Sequence, residues 1–343
     1  QCSNGDEIHV VFGSDLSLRK VYFPDINTEF KPDTPNLLSE YSHSFARNFT
    51  TNDRKGYFSR VNLGLIKTMW TYRPNVLLIH GYETFTSWYL VYLSILFNLK
   101  VVWRGEATMR SSASTIRMRF KKFILAKLFF SFIDVVYYSC KGNKDYLIDI
   151  GVGLDKMYPM DCCVDNQYFE AEYLKFSQSR NEIRHSLKIN DRDLVFTFSC
   201  RMTKRKNCKI LLKALATNIH KEHCVVLFVG DGPELENLIN YSKQHNIRYR
   251  SVGHVNQTEI SKYYCITDIF FILSFYDPSP KALNEIMNFR VPIIVSTEVG
   301  TAKDLVRENV NGFLVKPSDF KMISSIVNDV VEEKYSLQEL GNE

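Results

Sequence analysis

The sequence predicts an α/β protein built from two consecutive doubly wound domains. Short apolar runs alternate with longer stretches of helical period, which is the pattern of βαβ units around parallel sheets. The length of 343 residues is too great for one ordinary core and suits two. Strand signals stop between residues 157 and 193, where charged residues cluster, and then resume. We therefore assign residues 1–165 to a first domain, 166–192 to a linker and 193–343 to a second domain.

In the first domain, short runs rich in β-branched and aromatic residues predict four strands, and stretches with apolar residues three and four positions apart predict four helices. Residues 24–53 are polar, contain proline and show no period, which predicts a long surface loop. The strands are expected at residues 8–13, 76–81, 101–105 and 135–139, and the helices at 61–72, 87–99, 115–132 and 142–150.

The second domain repeats this alternation more regularly. In doubly wound sheets, ligands bind at the carboxyl ends of the strands, so we expect the two domains to face a shared cleft with their site residues at those ends. The strands are expected at residues 195–200, 225–230, 248–253, 269–275, 292–296 and 312–315, and the helices at 208–218, 234–245, 257–266, 282–289 and 320–331.

Composition excludes several classes of protein. Hydrophobic residues make up 45% and charged residues 24%, close to the average of globular proteins. The longest apolar stretch, residues 88–99, is shorter than the ~20 residues that a membrane span needs. Eight cysteines are too few for a disulfide scaffold and predict thiols in a reducing cytoplasm. The net charge of +5 is too mild to indicate nucleic acid as a partner.

The strongest functional signal is the segment 276–285, which reads Tyr-Asp-Pro-Ser-Pro-Lys-Ala-Leu-Asn-Glu after an apolar strand. Ser279 is expected to cap the helix that follows, with Pro280 in its first turn. The free N–H groups of a helix start favour an anion. Glu285 lies about one turn into the helix and can accept hydrogen bonds from ribose hydroxyls, while Asp277 can bind those of a second sugar. An ordinary strand–turn–helix with capping carboxylates is the alternative.

A basic turn follows the first strand of the second domain. Arg201, Lys204, Arg205 and Lys206 place four cations close together, and in a cleft they would bind a diphosphate through charge-assisted hydrogen bonds. A solvated basic turn is the alternative. The next strand ends in Gly230-Asp-Gly-Pro, whose glycines permit a positive φ or a close approach of backbone to a ligand.

Taken in order, these segments resemble the sugar-nucleotide half of the family 4 retaining glycosyltransferases, also called glycosyl transferases group 1, which have the GT-B fold of two Rossmann-like domains. The resemblance is strong over residues 195–331 and looser before them. The shared motifs begin at Cys200 (Cys-Arg-Met), Lys206 (Lys-Asn), Gly230 (Gly-Asp-Gly-Pro), Ser251 (Ser-Val-Gly), Asp277 (with Glu285 after seven residues), Val291 (Val-Pro-Ile), Val299 (Val-Gly) and Asn311 (Asn-Gly-Phe), and in the first half at His80, Trp103 and Val164.

The resemblance implies a UDP- or GDP-sugar as donor, transfer with retention, and no metal or other cofactor. It implies that Arg201 and Lys206 hold the diphosphate, that Glu285 binds the ribose, and that Asp277 and Ser279 face the donor sugar. Backbone amides at the helix start would meet a phosphate, and the base would lie near residues 253–254. The full set of donor-binding residues is Arg201, Lys206, Gly230, Gly253, His254, Ser279, Pro280, Lys281, Ala282 and Glu285.

The catalytic candidates are His80, Arg104, Glu106 and Asp277. Many relatives place a His at the strand end that holds Arg104 and Glu106 here, so these two are expected to substitute for it, and His80 ends the preceding strand. A structural polar group is the alternative for each. The missing His, and Asp277 where the family more often has Glu, leave open a non-catalytic nucleotide-sugar-binding scaffold subunit. A sugar-nucleotide epimerase on the same fold is the other alternative.

The resemblance also implies a glycan or lipid-linked acceptor and a role in cell-surface polysaccharide or glycoconjugate synthesis. Basic and aromatic residues share the stretch 110–127, which suits peripheral contact with an anionic membrane at the inner face of the cell membrane. A domain helix with a solvated basic face is the alternative. A first strand with a glycine-bearing loop and a C-terminal crossing helix, usual in GT-B domains, are not evident, which predicts a trimmed version of a longer protein.

Overall fold

The computed structural model describes residues 7–15, 18–19, 21–23, 28–30, 38, 41–50, 56–109, 115–218 and 220–342, with backbone alone for 21–23, 28–30, 115–119 and 342. The chain folds into two compact units, of which the first ends at Asp161 and the second begins at Cys162. Parallel sheets with helices between their strands form both units, so the predicted α/β class is confirmed.

The main sheet of the first unit has four parallel strands in the order β5-β6-β7-β8. Among the described residues, four short strands precede it; β1 pairs in parallel with β4, and β2 pairs antiparallel with β3. The strands are β1 (His9–Phe12), β2 (Val21–Phe23), β3 (Thr28–Phe30), β4 (Ser42–Phe45), β5 (Val76–His80), β6 (Lys100–Gly105), β7 (Val135–Tyr138) and β8 (Met157–Pro159). The helices are α1 (Leu65–Tyr72), α2 (Phe85–Leu96), α3 (Thr115–Ile124) and α4 (Lys141–Asp149).

The predicted long loop of residues 24–53 is wrong. The predicted strand near the chain start is present as β1, and it pairs with β4, which lies inside that range together with β3. The His9 ring lies 2.8 Å from the hydroxyls of both Ser42 and Ser44. Polar side chains therefore join the two strands, whereas a half-buried strand is recognised in sequence by alternating apolar residues. β8 was also missed, because it is a three-residue edge strand that ends in proline.

Aromatic packing in the first core explains where the predicted helix 115–132 ends. After α3 the backbone forms a π-helical turn, Leu125–Phe129, and then a short 3-10 turn. Both Phe129 and its neighbour Phe130 are buried, and the ring of Phe130 packs edge-on against Trp103 at 4.9 Å. Successive residues of an α-helix point about 100° apart, so the change of winding allows two adjacent rings to enter one core.

The second unit has one six-stranded parallel sheet in the order β11-β10-β9-β12-β13-β14. The chain runs outward from β9 through β10 to β11 and then returns to β12 on the other side of β9. The carboxyl ends of β9 and β12 therefore flank the point where strand order reverses, which is the usual ligand position in such sheets. The six predicted strands correspond to β9 (Leu194–Ser199), β10 (Cys224–Val229), β11 (Arg248–Gly253), β12 (Ile269–Ile272), β13 (Ile293–Ser296) and β14 (Gly312–Val315).

The helices of this unit include four that the sequence did not predict, α5, α6, α11 and α13. They are α5 (Asn166–Ser177), α6 (Arg180–Ser186), α7 (Lys209–Ala216), α8 (Leu235–Gln244), α9 (Gln257–Cys265), α10 (Lys281–Met287), α11 (Ala302–Leu305), α12 (Phe320–Val331) and α13 (Leu337–Asn342).

The expected linker, residues 166–192, forms α5 and α6 of the second unit. Phe169 of α5 is 1% exposed in the core beside Phe289. Arg184 of α6 is fully buried and donates a hydrogen bond to the Asp268 carboxylate at 3.2 Å, and Arg180 donates to the same carboxylate at 2.6 Å. Some of the clustered charges that indicated a solvated linker form this ion-pair network. The prediction of a linker at residues 166–192 is therefore wrong.

The glycine-rich loop after β10 packs on the turn that follows β9. Gly230 has a φ of 125°, and a Cβ added to it would lie 2.1 Å from the carbonyl oxygen of Cys200. The Met202 N–H donates to the carbonyl of Asp231 at 2.9 Å and joins the two segments. The sequence predicted a close approach of this backbone to a ligand. In the structure the backbone at Gly230 lies close to other protein backbone, so packing accounts for the glycine.

We expect Gly230→Ala to lower the free energy of unfolding by about 3 kcal/mol, because the added methyl group meets backbone in a conformation that L-residues avoid. The matched control is Gly253→Ala. Gly253 also has a positive φ, 69°, but its Cβ would meet no atom within 4 Å, so a cost of only about 1 kcal/mol is expected. Urea titration measures both values, and equal losses would contradict the packing role of Gly230.

Candidate functional site

The turn after β9 and the loop after β12 meet where the strand order reverses. The ammonium of Lys206 forms an ion pair with the carboxylate of Asp277, and the two side chains are only 14% and 10% exposed. The Phe275 N–H donates to the carbonyl of Arg205 at 2.9 Å, and the Arg205 guanidinium donates to the carbonyl of Tyr276. The structure thus brings together Lys206 and Asp277, which the sequence assigned to two different parts of the donor.

The four cations of the basic turn have different surroundings. Lys204–Lys206 form a short 3-10 turn that ends at Asn207 in a left-handed conformation. The Asn207 side chain donates to the carbonyl of Pro317 at 2.8 Å, which anchors the turn. Lys206 is mostly buried and Arg205 braces the loop after β12, whereas Arg201 and Lys204 are exposed. Lys206 is therefore the cation of this turn that the fold places closest to Asp277.

The segment before α10 departs from its predicted capping. Pro280, not Ser279, occupies the N-cap position, and none of the described side chains caps the helix. The hydroxyl of Ser279 is buried and has no hydrogen-bond partner among the residues that the structure describes, and the same holds for Thr301. The Gly300 N–H donates to the carbonyl of Asp277 at 2.9 Å, so the loops that carry these hydroxyls are paired. Buried hydroxyls of this kind are suited to binding a polar ligand.

Glu285 of α10 lies in the interior, with 9% of its surface exposed. Its carboxylate accepts a hydrogen bond of 2.8 Å from the hydroxyl of Tyr264, and the Ser199 hydroxyl lies 3.4 Å from the same phenol oxygen. Burial raises the pKa of Glu285, while the Tyr264 hydroxyl and the charge of Lys281 oppose that rise. Burial and the neighbouring Glu285 raise the pKa of Tyr264 well above its usual range, so its hydroxyl is the donor.

Sequence reasoning missed Tyr264 and Ser199. The sequence places two tyrosines side by side near the end of α9 and does not show which of them faces the interior. Tyr264 lies four residues after Ile260 and Tyr263 lies three residues after it, so helical spacing does not separate the two tyrosines. Ser199 is the last residue of β9, a position where parallel sheets bring polar side chains to the ligand-binding edge.

The expected position of the base, near Gly253 and His254, lies at the end of β11. The carbonyl of Gly253 accepts a hydrogen bond of 2.7 Å from the Gly230 N–H, and the His254 side chain is exposed. The space beside the Gly253 Cα is open. The contact of these residues with a base stays a prediction.

The three catalytic candidates of the first unit form a cluster at the carboxyl ends of β5 and β6. His80 and Arg104 are paired neighbours in the sheet. Arg104 Nη1 lies 3.3 Å from His80 Nε2 and donates to Glu106 Oε1 at 3.2 Å. The sequence indicated each of these residues as a separate candidate, and the structure brings all three together. Their catalytic role stays a prediction.

The described residue ranges contain neither a cluster of metal ligands nor a membrane-spanning helix. Within those ranges, no three His, Cys, Asp or Glu side chains are grouped so that they could hold a metal ion. None of the helices described has both the length and the apolar character needed to cross a bilayer.

Comparisons with known proteins agree with the motif pattern. Residues 179–343 match the family described as glycosyl transferases group 1. An uncharacterized glycosyltransferase of Methanocaldococcus jannaschii is 26% identical over 185 residues, which cover 48% of this chain and 47% of that protein. The amylovoran biosynthesis glycosyltransferase AmsD of Erwinia amylovora is 26% identical over 132 residues, 38% of this chain and 36% of AmsD. The chain spans about half the length, or less, of these curated relatives.

Solved structures extend the similarity to both units. A crystal structure of Anabaena HepE in complex with UDP has a TM-score of 0.69 at 15% identity and covers 88% of this chain and 79% of HepE. This likeness confirms the predicted fold class. The predicted resemblance to the group 1 glycosyltransferases is likewise confirmed, and residues 179–343 carry it.

Proposed function

We propose that the protein is a retaining glycosyltransferase that moves a sugar from UDP- or GDP-sugar to a hydroxyl of a glycan or lipid-linked acceptor. The reaction forms a bond between the acceptor oxygen and the anomeric carbon, and breaks the bond between that carbon and the diphosphate. The bonding electron pair leaves with the diphosphate, and the proton of the acceptor hydroxyl is released to solvent. The relative AmsD supports this proposal by its role in amylovoran biosynthesis, and the structural neighbour HepE supports it by its UDP complex.

The observation that carries the proposal is the buried pair of Lys206 and Asp277 at the point where the strand order reverses. Lys206 can exchange its partner Asp277 for a diphosphate, whose leaving group gains negative charge as the sugar departs. A preorganised cation in a largely water-excluded site stabilises such charge strongly. Asp277 and the buried hydroxyl of Ser279 then remain to bind hydroxyls of the transferred sugar.

Glu285 supplies the ribose site of the proposal. Glu285 is buried, and its carboxylate accepts a hydrogen bond from the Tyr264 hydroxyl. A carboxylate has room for several further donors, and the two hydroxyls of a ribose are donors of that kind. In this proposal Lys206, which follows β9, binds the diphosphate, and Glu285 of α10 binds the ribose of the same donor.

Donor hydrolysis in the absence of acceptor tests the proposal. The protein is incubated with UDP-glucose, UDP-galactose, UDP-N-acetylglucosamine and GDP-mannose in turn, and release of the nucleoside diphosphate and the released sugar are followed by NMR. We expect slow release from one donor, with the sugar first appearing in the anomeric configuration of the donor. Binding without release would favour the scaffold subunit, and an epimerised sugar would favour the epimerase. Release with inversion would contradict the retaining mechanism.

We also propose peripheral contact with anionic membranes through α3 and the turn after it. Phe120 and Phe123 are 67% and 60% exposed, and Lys127 and Leu128 are exposed on the following turn. Exposed aromatic side chains among lysines suit the interface of an anionic bilayer. Residues 110–114 of the stretch predicted from sequence lie outside the described residues.

Vesicle flotation checks this contact. We expect the protein to float with phosphatidylcholine vesicles that contain phosphatidylglycerol, less so at high salt, and not with phosphatidylcholine alone. Phe120→Ser with Phe123→Ser should abolish flotation. Leu154→Ser, at a residue 63% exposed elsewhere in the same unit, is the control and should float normally. Binding that does not depend on anionic lipid would contradict the proposal.

A further inference from the structure

We propose that Tyr264 is a positioning residue for Glu285, and that its hydroxyl holds one carboxylate oxygen so that the other receives a ribose hydroxyl. This inference rests on the proposed function, because it takes the ribose of a nucleotide as the ligand of Glu285. Tyr264 is fully buried and its hydroxyl contacts the carboxylate, so it acts on the ligand only through Glu285.

The position of the phenol is determined by packing. The Tyr264 ring meets Phe270 and Phe289 edge-on, with centroid distances of 5.7 Å and 5.4 Å. These contacts leave the ring little freedom, so its oxygen is held at a defined place 2.8 Å from Glu285 Oε2. In the part of the chain that the structure describes, no other group hydrogen-bonds this carboxylate. Tyr264 is thus the contact that can select one orientation of Glu285.

The charged groups around Glu285 give the hydroxyl a second effect. Tyr264 faces the carboxylate from α9 and Lys281 from its own helix α10, and Cys200, just after β9, lies close enough to Tyr264 to act on it electrostatically. Burial raises the pKa of Glu285, and the Tyr264 hydroxyl opposes that rise most strongly, followed by Lys281. Removal of the hydroxyl therefore raises this pKa further. The ionised carboxylate, which can accept from both ribose hydroxyls, would then be lost at a higher pH.

The decisive comparison is between two ligands that differ only in the ribose. We measure dissociation constants for UDP, or GDP if wild type prefers it, and for its 2′,3′-dideoxy analogue across mildly acidic to mildly alkaline pH. Both ligands carry the same phosphates, so the ratio of the two constants cancels phosphate titration and reports the ribose contact alone. The proteins are wild type, Tyr264→Phe, Glu285→Gln and the double variant. Tyr263→Phe, at the adjacent tyrosine of α9, is the matched control.

We expect Tyr264→Phe to weaken the ribonucleotide about tenfold at neutral pH, the usual scale for a hydrogen bond to a charged group. Binding of the dideoxy analogue should not change. The preference for the ribonucleotide over its dideoxy analogue should be lost as the pH falls. The pH of this loss should be higher in Tyr264→Phe than in wild type, and unchanged in Tyr263→Phe. In the Glu285→Gln background, Tyr264→Phe should have little further effect on ribose preference.

The proposal is overturned if Tyr264→Phe weakens both ligands equally, or if its effect is as large without the Glu285 carboxylate, because either result means a purely structural brace. If Tyr264→Phe does not fold, 3-fluorotyrosine at position 264 replaces it. This more acidic phenol is a stronger donor and should increase ribose preference, and an unchanged preference would again overturn the proposal. Failure of wild type to bind either UDP or GDP would contradict the proposed function instead.

Discussion

Replacement of Lys206 by methionine is expected to weaken UDP or GDP binding by about 10²-fold, the usual scale for truncation of one partner of a buried charge pair. Methionine keeps most of the side-chain volume and removes the charge. The nucleoside alone, without phosphates, should bind as before, since its affinity depends on the base and on Glu285. Isothermal titration calorimetry with the nucleoside and the nucleoside diphosphate measures both effects.

The buried partner of Lys206 requires its own control. Lys206→Met leaves the Asp277 carboxylate, which is only 10% exposed, without its cation, and this is expected to lower the free energy of unfolding by about 3 kcal/mol. Lys206→Met with Asp277→Asn removes the unpaired charge and should restore stability while diphosphate binding stays weak. Lys204→Ala, at an exposed lysine of the same turn, should leave binding nearly unchanged. An equal loss of nucleoside and diphosphate affinity would refute the phosphate role of Lys206.

Glu106→Gln is expected to leave nucleotide binding intact and to lower the transfer rate by ~10²-fold or more, the usual scale for a positioned acid or base. The substitution keeps an oxygen that can accept from Arg104, now 3.2 Å from Glu106, and removes only the charge and the proton-accepting capacity. A loss confined to turnover identifies a group that acts in the transition state. Steady-state transfer kinetics and donor titration separate the two quantities.

Glu83→Gln is the matched control for Glu106→Gln. Glu83 also follows a strand end of the same sheet, but it is exposed and its carboxylate accepts from the neighbouring Tyr82 N–H. The Glu83→Gln variant should transfer sugar at the wild-type rate. Transfer at the wild-type rate by Glu106→Gln as well would remove Glu106 from the catalytic candidates and direct attention to Arg104 and His80, which lie 3.3 Å apart in the same cluster.

Local pattern alone predicted the class of the fold and most of the second unit. β-Branched runs predicted all six strands of its sheet, and the motifs at Lys206, Gly230 and Asp277 marked strand ends that the structure brings to one edge. These features are readable because alternation of strand and helix, glycine turns and helix starts depend on residues close together in the chain. Where pairing depended on polar contacts between distant residues, as between His9 of β1 and Ser42 of β4, the same reasoning failed.

The tertiary structure decided which side chains meet. The sequence assigned Lys206 to a diphosphate and Asp277 to a sugar, and only the adjacency of β9 and β12 makes them a buried pair. It counted Arg205 among the phosphate ligands, whereas the fold uses that guanidinium to brace a backbone carbonyl. The sequence did not indicate a role for Tyr264, whose contact with Glu285 joins residues 21 positions apart. Sequence alone determined which groups this protein carries at its strand ends, but their partners and burial depend on long-range packing, which has no local signature.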